Sequence, residues 1–249
     1  MTKHRTEVVF AFDRSVYGRQ ERALLKAVRG SGIEILKVGL EAMTARAGWR
    51  RKSVADRAAA AWGPERILWD QKIHDIPETV QRAVYNLTGT VWGVTLHASG
   101  GTAMLQAAVT GWRKKLHDIG AEGIRTTLFG VTVLTSLSGE CESIFGSEPA
   151  AKVLQFVRFC ANEGIGGVVC SGQELQSLSN SGFSGVVKTL VPGIRPAWAT
   201  VNDQARTMTP RDAARLGADY IVVGRPISDG PYAPSEAVRR IREELGAYG

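Results

Sequence analysis

The chain has 249 residues, of which 44% are hydrophobic and 22% are charged, a balance typical of a globular protein with one large core. Its net charge is +7, from 31 Lys and Arg against 24 Asp and Glu, and the basic residues are dispersed without a basic tail or interleaved aromatic residues. This pattern disfavours a nucleic-acid-binding protein and is compatible with a small anionic substrate.

Cysteine content and apolar runs bear on the compartment. The three cysteines, Cys141, Cys160 and Cys170, are an odd number without metal-ligand spacing, which predicts reduced thiols in a cytoplasmic protein. The chain begins at Met1 without an apolar targeting segment, and no apolar stretch approaches the roughly 18 residues of a membrane helix. We therefore expect neither export nor a membrane span.

Short apolar segments alternate with amphipathic segments along the chain. The predicted strands are 8–12, 35–38, 67–71, 91–97, 128–134, 167–170, 186–191 and 220–223. The predicted helices are 20–29, 54–61, 78–86, 103–117, 150–163, 173–178, 211–216 and 235–245. Nearly all strands are apolar throughout rather than alternating, which is typical of parallel strands covered by helices.

Eight strand-helix units in a chain of this length predict an α/β fold, a TIM (β/α)8 barrel that spans 1–249 as a single domain. A doubly wound open sheet is the alternative, but it usually has fewer strands and a Gly-rich turn after the first strand, where no Gly-x-Gly-x-x-Gly occurs here. The active site of a barrel lies at the C-terminal strand ends. The irregular stretch at about 193–209 is expected to form a lid loop over it, with a solvated surface loop as the alternative.

Charged residues collect where the third predicted strand ends, at Asp70, Lys72 and Asp75. Alternate residues of a strand face one side, so we expect Asp70 and Lys72 to project together, roughly 7 Å apart along the strand. Pro77 is predicted to begin the next helix. A structural ion pair at a strand end is the alternative to a catalytic cluster.

The ends of strands seven and eight resemble a phosphate site in their chemistry. Gly193 and Gly224 permit close backbone approach, and Arg195 and Arg225 carry planar, permanently charged guanidinium groups. Barrels commonly bind phosphate at this position. The pattern predicts a phosphorylated ligand, although a plain turn before the last helix is the alternative for Gly224-Arg225.

Metal and nucleophile chemistry find little support. His4, His74, His97 and His117 show no ligand pair at helical spacing. The sequence has neither a Gly-x-Ser-x-Gly elbow nor a Walker-type loop. We therefore expect no metal and no cofactor, with the chemistry carried by charge and by a lysine.

The segment from Asp70 to Val80 resembles the signature Asp-x-Lys-x-x-Asp-Ile-Pro-x-Thr of the orotidine 5′-phosphate decarboxylase family. Further similar blocks follow in the same order over almost the whole chain, at 10–13, 36–39, 97–101, 131–136, 169–171, 191–195, 203–206 and 223–226. The sequence departs from the family at Trp69, at Gln71 and within 197–202.

This resemblance implies cofactor-free decarboxylation of orotidine 5′-monophosphate to uridine 5′-monophosphate in de novo pyrimidine biosynthesis. It implies that Asp70, Lys72 and Asp75, with Lys37 as a second lysine, form the catalytic set, and that Lys72 protonates C6. It also implies a homodimer in which Asp75 and Thr79 reach the partner's site.

The resemblance further implies three groups of substrate contacts. These are Asp13, Lys37 and Thr79 for the ribose hydroxyls, Thr135, Ser136 and Ser138 for the pyrimidine edge, and Arg195, Gln204, Gly224 and Arg225 for the phosphate.

Two other functions are compatible with parts of the pattern. A metal-dependent sugar-phosphate decarboxylase or aldolase-like barrel of the same superfamily shares the Asp-x-Lys-x-x-Asp spacing, but the Pro-Gly-Ile-Arg and Asp-Gln-Ala-Arg blocks argue against it. Insensitivity to EDTA would separate the two. A non-catalytic protein that binds anions or nucleic acid is favoured only by the net charge and would show a steep salt dependence of binding.

Overall fold

Eight parallel strands close into a barrel in chain order in the computed structural model, which describes residues 6–46, 52–87, 91–121, 126–137, 139–183, 185–199 and 207–246. The strands are β1 (Glu7–Phe12), β2 (Ile35–Gly39), β3 (Ile67–Ile73), β4 (Gly93–His97), β5 (Thr127–Val131), β6 (Gly167–Val169), β7 (Lys188–Val191) and β8 (Tyr220–Val223). Strand β1 pairs with both β2 and β8, which closes the ring. The predicted TIM barrel is confirmed.

Helices follow the strands on the outside of the barrel. They are α1 (Arg19–Gly30), α2 (Leu40–Thr44), α3 (Val54–Trp62), α4 (Pro77–Tyr85), α5 (Gly101–Asp118), α6 (Cys141–Phe145), α7 (Pro149–Asn162), α8 (Leu175–Asn180), α9 (Pro210–Arg215), α10 (Arg225–Ser228) and α11 (Pro234–Gly246). Short 3-10 helices occupy Pro64–Arg66, Ala98–Gly100, Thr135–Leu137 and Gly172–Glu174. Sequence analysis missed α2, α6 and α10 because a helix of four or five residues is too short to show a periodic pattern.

Local sequence explains where the helices begin. The Ser53 side chain accepts a hydrogen bond from the Asp56 N–H, which satisfies a free donor at the start of α3. Helix α4 begins at Pro77 as predicted, because proline has no N–H to leave unpaired in a first turn. Within the described part of the chain, no helix combines the length and apolarity needed to cross a bilayer.

Strand β5 is shorter than predicted. The segment 128–134 was expected as strand, but β5 ends at Val131, whose partner Val169 is the last residue of the short β6. Beyond that point the Thr132 N–H and the Thr132 hydroxyl both donate to the Val169 carbonyl, at 3.1 Å and 2.8 Å, and β6 has no further residue to pair with. Thr135 and Ser136 therefore lie on a 3-10 helix.

The barrel interior is filled at its N-terminal side. Trp92, Phe129 and Tyr220 form an aromatic group there, with the Trp92 ring centroid 5.4 Å from that of Phe129 and 4.9 Å from that of Tyr220. An inner apolar cluster continues from Phe129 through Leu68 and Leu190. Because this side is packed with apolar groups, polar side chains that enter the barrel do so at the C-terminal strand ends.

Candidate active site

A cavity of about 520 Å³ lies at the C-terminal ends of the strands. Residues from the ends of β1, β2, β3, β7 and β8 contribute to its wall, as the predicted barrel requires. The sequence-predicted residues that it brings together are Asp13, Lys37, Asp70, Lys72, Thr135, Arg195, Gly224 and Arg225.

A charge network crosses the floor of this cavity. Lys37 Nζ lies 3.0 Å from Asp13 Oδ1 and 3.2 Å from Asp70 Oδ2. Lys72 Nζ lies 2.9 Å from the same Asp70 oxygen. One carboxylate is thus shared by two ammonium groups, and only 12% of the Asp70 side chain is exposed.

The network keeps Asp70 and Lys37 ionised. Burial by itself would raise the pKa of Asp70, but the charges of Lys37 and Lys72 outweigh burial and hold this pKa below its usual value. Burial would likewise lower the pKa of Lys37, but the carboxylates of Asp70 and Asp13 outweigh it and raise that pKa. Asp70 is therefore an anion and Lys37 a cation at neutral pH.

The backbone of β3 is irregular between Asp70 and Lys72. This corrects the expectation that side chains alternate regularly along this strand. Trp69 pairs with Val94, and Ile73 pairs with Leu96. An advance of four residues along β3 therefore corresponds to an advance of only two residues along β4. Lys72 lies within this irregularity and has φ of +50°, in the left-handed region. Both side chains line the cavity as expected, but the backbone between them is irregular rather than a continuous pleated strand.

Thr95 is a site residue that sequence analysis missed. Its Oγ1 accepts a hydrogen bond from the Lys72 N–H at 2.9 Å and donates one to Asp70 Oδ1 at 2.9 Å. Its side chain lines the cavity, although the residue is only 1% exposed. A hydroxyl in the middle of an apolar strand, between Val94 and Leu96, is the signal that could have found it.

Gly39 has a spatial reason to be glycine. A Cβ at this position would lie 2.8 Å from Asp13 Oδ1 and 3.3 Å from Lys37 Nζ. A larger residue would therefore push Asp13 away from its ammonium partner. The close approach explains why the network can extend from β2 to the end of β1.

His97, the last residue of β4, lies near the charge network of Asp13, Lys37, Asp70 and Lys72 but is not a member of it. Its ring centroid is 5.6 Å from that of His74. Partial burial, together with the neighbouring His74 and Lys72, lowers the pKa of His97 below its usual value of 6.5. The imidazole is therefore neutral at pH 7.

The cavity wall formed by the residues after β7 and β8 has the chemistry of an anion site. Arg195 is only 8% exposed, and its backbone N–H donates to the Met208 carbonyl at 2.8 Å. Gly193, two residues earlier, has φ of +79°. Arg225 is the first residue of α10. A Cβ at Gly224 would lie 3.3 Å from the Ala11 Cβ, so the ends of β8 and β1 approach closely there.

The described start of the predicted loop at about 193–209 contacts the last helix, α11, and the segment just before it. The Ala197 N–H donates to Glu244 Oε1 at 3.2 Å, and the Trp198 ring centroid is 5.1 Å from that of Tyr232 in an edge-on contact. Gln204 and Ser138 lie outside the described residues.

Three predicted residues lie outside the cavity wall of their own chain. Ser136 is exposed on its 3-10 helix. Asp75 and Thr79 are exposed at the start of α4, and Asp75 Oδ1 accepts a hydrogen bond from the Ile76 N–H at 2.7 Å. In the part of the chain that the structure describes, no three His, Cys, Asp or Glu residues are grouped in a way that could hold a metal ion.

Comparisons with known proteins match nearly the whole chain. The family described as "Orotidine 5′-phosphate decarboxylase / HUMPS family" matches residues 7–241. An orotidine 5′-phosphate decarboxylase of Anaeromyxobacter sp. (strain K) is 40% identical over 216 residues, which cover 86% of this chain and 87% of that protein. The enzyme of the same name from Nitrosococcus oceani is 37% identical over 245 residues, covering 97% and 98% of the two chains. The crystal structure of orotidine 5′-phosphate decarboxylase from Lactobacillus acidophilus aligns with a TM-score of 0.74 at 29% identity, covering 96% of this chain and 99% of that one.

Proposed function

This chain belongs to the orotidine 5′-phosphate decarboxylase family and decarboxylates orotidine 5′-monophosphate in pyrimidine biosynthesis, and we propose that Lys72 is the residue that protonates C6. The observation that carries the proposal is the ion pair of Lys72 with Asp70 inside the cavity, 2.9 Å between Nζ and Oδ2. The pair holds a lysine ammonium, a proton donor, at a defined position over the cavity floor.

The reaction needs a fixed cation next to C6. When the bond from C6 to the carboxylate breaks, CO₂ leaves and the electron pair stays in an sp² orbital of C6 with little delocalisation. An ammonium placed there stabilises the developing charge and then transfers its proton to C6. Lys72 suits this role because its charge is compact and 31% of its side chain remains exposed towards the cavity.

Asp70 has two roles in this proposal. It holds both ammonium groups in place, and its anionic form, which their charges favour, keeps an opposite charge beside Lys72. It also repels the carboxylate of the bound substrate, a secondary contribution that acts on the ground state. The proton that Lys72 gives up is replaced from solvent.

The remaining contacts orient the nucleotide. We propose that Asp13 and Lys37 hold the ribose hydroxyls and that Arg195, Gly224 and Arg225 bind the phosphate at the far end of the cavity, with Gln204 added from the family resemblance. Phosphate binding far from C6 supplies energy that orients the reacting end.

For the pyrimidine edge the candidates are Thr135, Ser136 and Ser138. Thr135 is favoured over Ser136 because Thr135 lines the cavity while Ser136 is exposed outside it. Ser138 stays a candidate from the resemblance alone.

We propose that the enzyme is a homodimer in which Asp75 and Thr79 complete the partner's site. Both residues are exposed at the cavity end of the barrel without lining their own cavity. Exposed apolar residues follow the neighbouring strands at the same end, with Val16 60%, Leu40 53% and Ile76 65% exposed. A second chain packed on this rim would cover these groups and bring Asp75 to the partner's Lys72.

We also propose a cytoplasmic enzyme that binds no nucleic acid. All three cysteines are buried thiols outside any disulfide, which suits a reducing compartment. The dispersed basic residues and an anion site enclosed in the barrel suit a small nucleotide rather than a polymer.

Replacing Lys72 by Ala tests the assignment of the proton donor. We expect Lys72→Ala to lower the rate of decarboxylation by at least about a thousandfold, because both the charge stabilisation and the proton are lost. The fall in absorbance as orotidine 5′-monophosphate becomes uridine 5′-monophosphate measures the rate. Binding of uridine 5′-monophosphate, measured by calorimetry, should stay within about tenfold of wild type because phosphate and ribose contacts remain.

The control is Lys26→Ala, which removes an exposed lysine of α1 and should leave the rate unchanged. Activity of Lys72→Ala within tenfold of wild type would overturn the assignment.

A further inference from the structure

Thr95 lies opposite the irregular part of β3, where its single hydroxyl contacts both Lys72 and Asp70. We propose that Thr95 is a positioning residue that sets the placement of the Lys72 ammonium through these two bonds. The inference rests on the proposed function of Lys72 as the proton donor.

The first bond supports an unfavourable backbone. Lys72 is the only non-glycine residue of the described chain with positive φ, a conformation that a Cβ disfavours and that surrounding contacts must hold. Because two residues of β4 correspond to four residues of β3, the regular pairing of the two strands by backbone hydrogen bonds is interrupted at this point. The Thr95 hydroxyl supplies the acceptor for the Lys72 N–H inside the gap, at 2.9 Å.

The second bond orients the carboxylate that holds the ammonium. Thr95 donates its one hydroxyl proton to Asp70 Oδ1, which leaves Oδ2 for the ammonium groups of Lys72 and Lys37. The two oxygens of Asp70 thus have separate partners. Rotation of this carboxylate would move the anchor point of Lys72 Nζ.

Burial makes the hydroxyl difficult to replace. Thr95 is 1% exposed, so bulk water does not reach both partners if the hydroxyl is removed. The branched Cβ restricts the χ1 angle and fixes the direction of the oxygen. The Thr95 side chain therefore fixes both the backbone of Lys72 and the orientation of Asp70, the counter-ion of the Lys72 ammonium.

Thr132 provides a matched comparison. It is 2% exposed in the segment after β5, and its Oγ1 donates to the Val169 backbone carbonyl at 2.8 Å. The two threonines are equally buried and both are hydrogen-bonded, but only Thr95 contacts the charge network. Loss of the Thr132 hydroxyl reports the effect of a buried hydroxyl on stability alone.

The experiment compares Thr95→Val, Thr95→Ser and Thr132→Val in the full-length enzyme. We measure kcat and KM for orotidine 5′-monophosphate, affinity for uridine 5′-monophosphate, and Tm. Thr95→Val should lower kcat by about tenfold to a hundredfold while KM and product affinity change less than about threefold, because displacement of a reacting group costs the chemical step. Thr95→Ser, which keeps the hydroxyl, should return kcat to within about threefold of wild type.

Thr132→Val should lower Tm but leave kcat unchanged. Folded Thr95→Val with kcat within threefold of wild type, or a Thr95→Ser variant as slow as Thr95→Val, would overturn the inference. If Thr95→Val does not fold, Thr95→Cys, which is close to serine in size but has a weak donor and acceptor, is judged by the same criterion. Lys72→Ala, run in parallel, separates the two claims: an active Lys72→Ala contradicts the proton-donor role, whereas an inactive one beside a fast Thr95→Val contradicts only the role of Thr95.

Discussion

Asp70 explains how a charged cluster is stable inside a largely apolar barrel. Its Oδ2 faces two ammonium groups, its Oδ1 accepts from Thr95, and Lys37 has a second carboxylate in Asp13. Taking a single charge out of water is unfavourable, and here each buried charge has an opposite partner and a hydrogen bond. At the scale of single residues, the site therefore depends on complete pairing, and removal of one partner leaves another charge buried without compensation.

Arg225 allows a test of the phosphate contact. A charge-assisted hydrogen bond from its guanidinium is worth roughly 1.5–3 kcal/mol, so Arg225→Ala should lower kcat/KM by at least about tenfold to a hundredfold. The loss should be much smaller for orotidine, which lacks the phosphate. Both substrates are measured with both proteins, and Arg19→Ala, at an exposed arginine of α1, is the control. An equal fractional loss on both substrates would place the phosphate elsewhere.

His97 predicts a pH dependence of stability. Its pKa in the folded state is below the 6.5 of the unfolded chain, so on acidification the unfolded chain takes up the proton first. The contribution of neutral His97 to the free energy of unfolding is fully present above the pKa of the unfolded chain. It is lost as the pH falls from about 6.5 to the lower pKa of the folded state. Urea unfolding from pH 7 to pH 5 should therefore show a steeper loss of free energy of unfolding for wild type than for His97→Gln. Parallel pH curves for the two proteins would contradict this.

Helix α5 packs closely against α4, the helix that follows the C-terminal end of β3. It packs against α4 at Gly111, where a Cβ would overlap the Gln81 backbone carbonyl oxygen. Helix α4 in turn carries Thr79 and follows directly after Asp75. At the scale of elements, a glycine on the outer layer of the barrel thus allows α5 to approach α4, the helix that carries the proposed dimer-site residue Thr79.

Substitution of Gly111 tests this packing. Gly111→Ala should lower the free energy of unfolding by roughly 1–3 kcal/mol, because backbone cannot yield as a flexible side chain would. Gly30→Ala, at the end of α1, is the matched control, since no atom lies within 4 Å of the added Cβ. That control should be neutral or stabilising by up to about 1 kcal/mol through the smaller entropy of the unfolded chain. Urea denaturation measures both, and equal stability of the two variants would contradict the close-packing argument.

The two ends of the barrel differ in chemistry. Aromatic and aliphatic side chains close the N-terminal end, while the charge network, the anion site and a group of exposed apolar residues share the C-terminal end. At the scale of the whole molecule, this polarity directs both substrate and the proposed second chain to one face. It is compatible with the proposal that Asp75, which lies outside the cavity of its own chain, acts in the site of a second chain.

Mixing two inactive proteins tests the shared site. In a heterodimer of Asp75→Asn with Lys72→Ala, one site has both intact residues and the other has neither, so equal mixing should restore about a quarter of wild-type activity. The absorbance assay follows recovery after subunit exchange, which is verified by mass spectrometry of tagged chains. Each protein alone, taken through the same procedure, is the control. Verified heterodimers without activity would show that Asp75 does not act across the interface.

The order of elements and the rim that carries the site could be predicted from the sequence alone. Continuous apolar strands are buried on both faces, and this local property, repeated eight times between helical segments, is compatible with few folds. The C-terminal parts of the strands and the residues after them then meet at one end by topology, and the predicted residues Asp13, Lys37, Asp70 and Arg225 all line the cavity there.

Only the tertiary structure decided how these residues touch. The left-handed backbone at Lys72, the hydroxyl of Thr95 beneath it, and the separation of Thr135 from Ser136 all depend on which residue of one strand lies beside which residue of the next. That register is set by closure of the barrel and by the lengths of neighbouring strands, such as the short β6 that ends β5 at Val131. Periodicity within one segment reports which side chains are buried, but a hydrogen bond between strands is a property of two segments far apart in sequence.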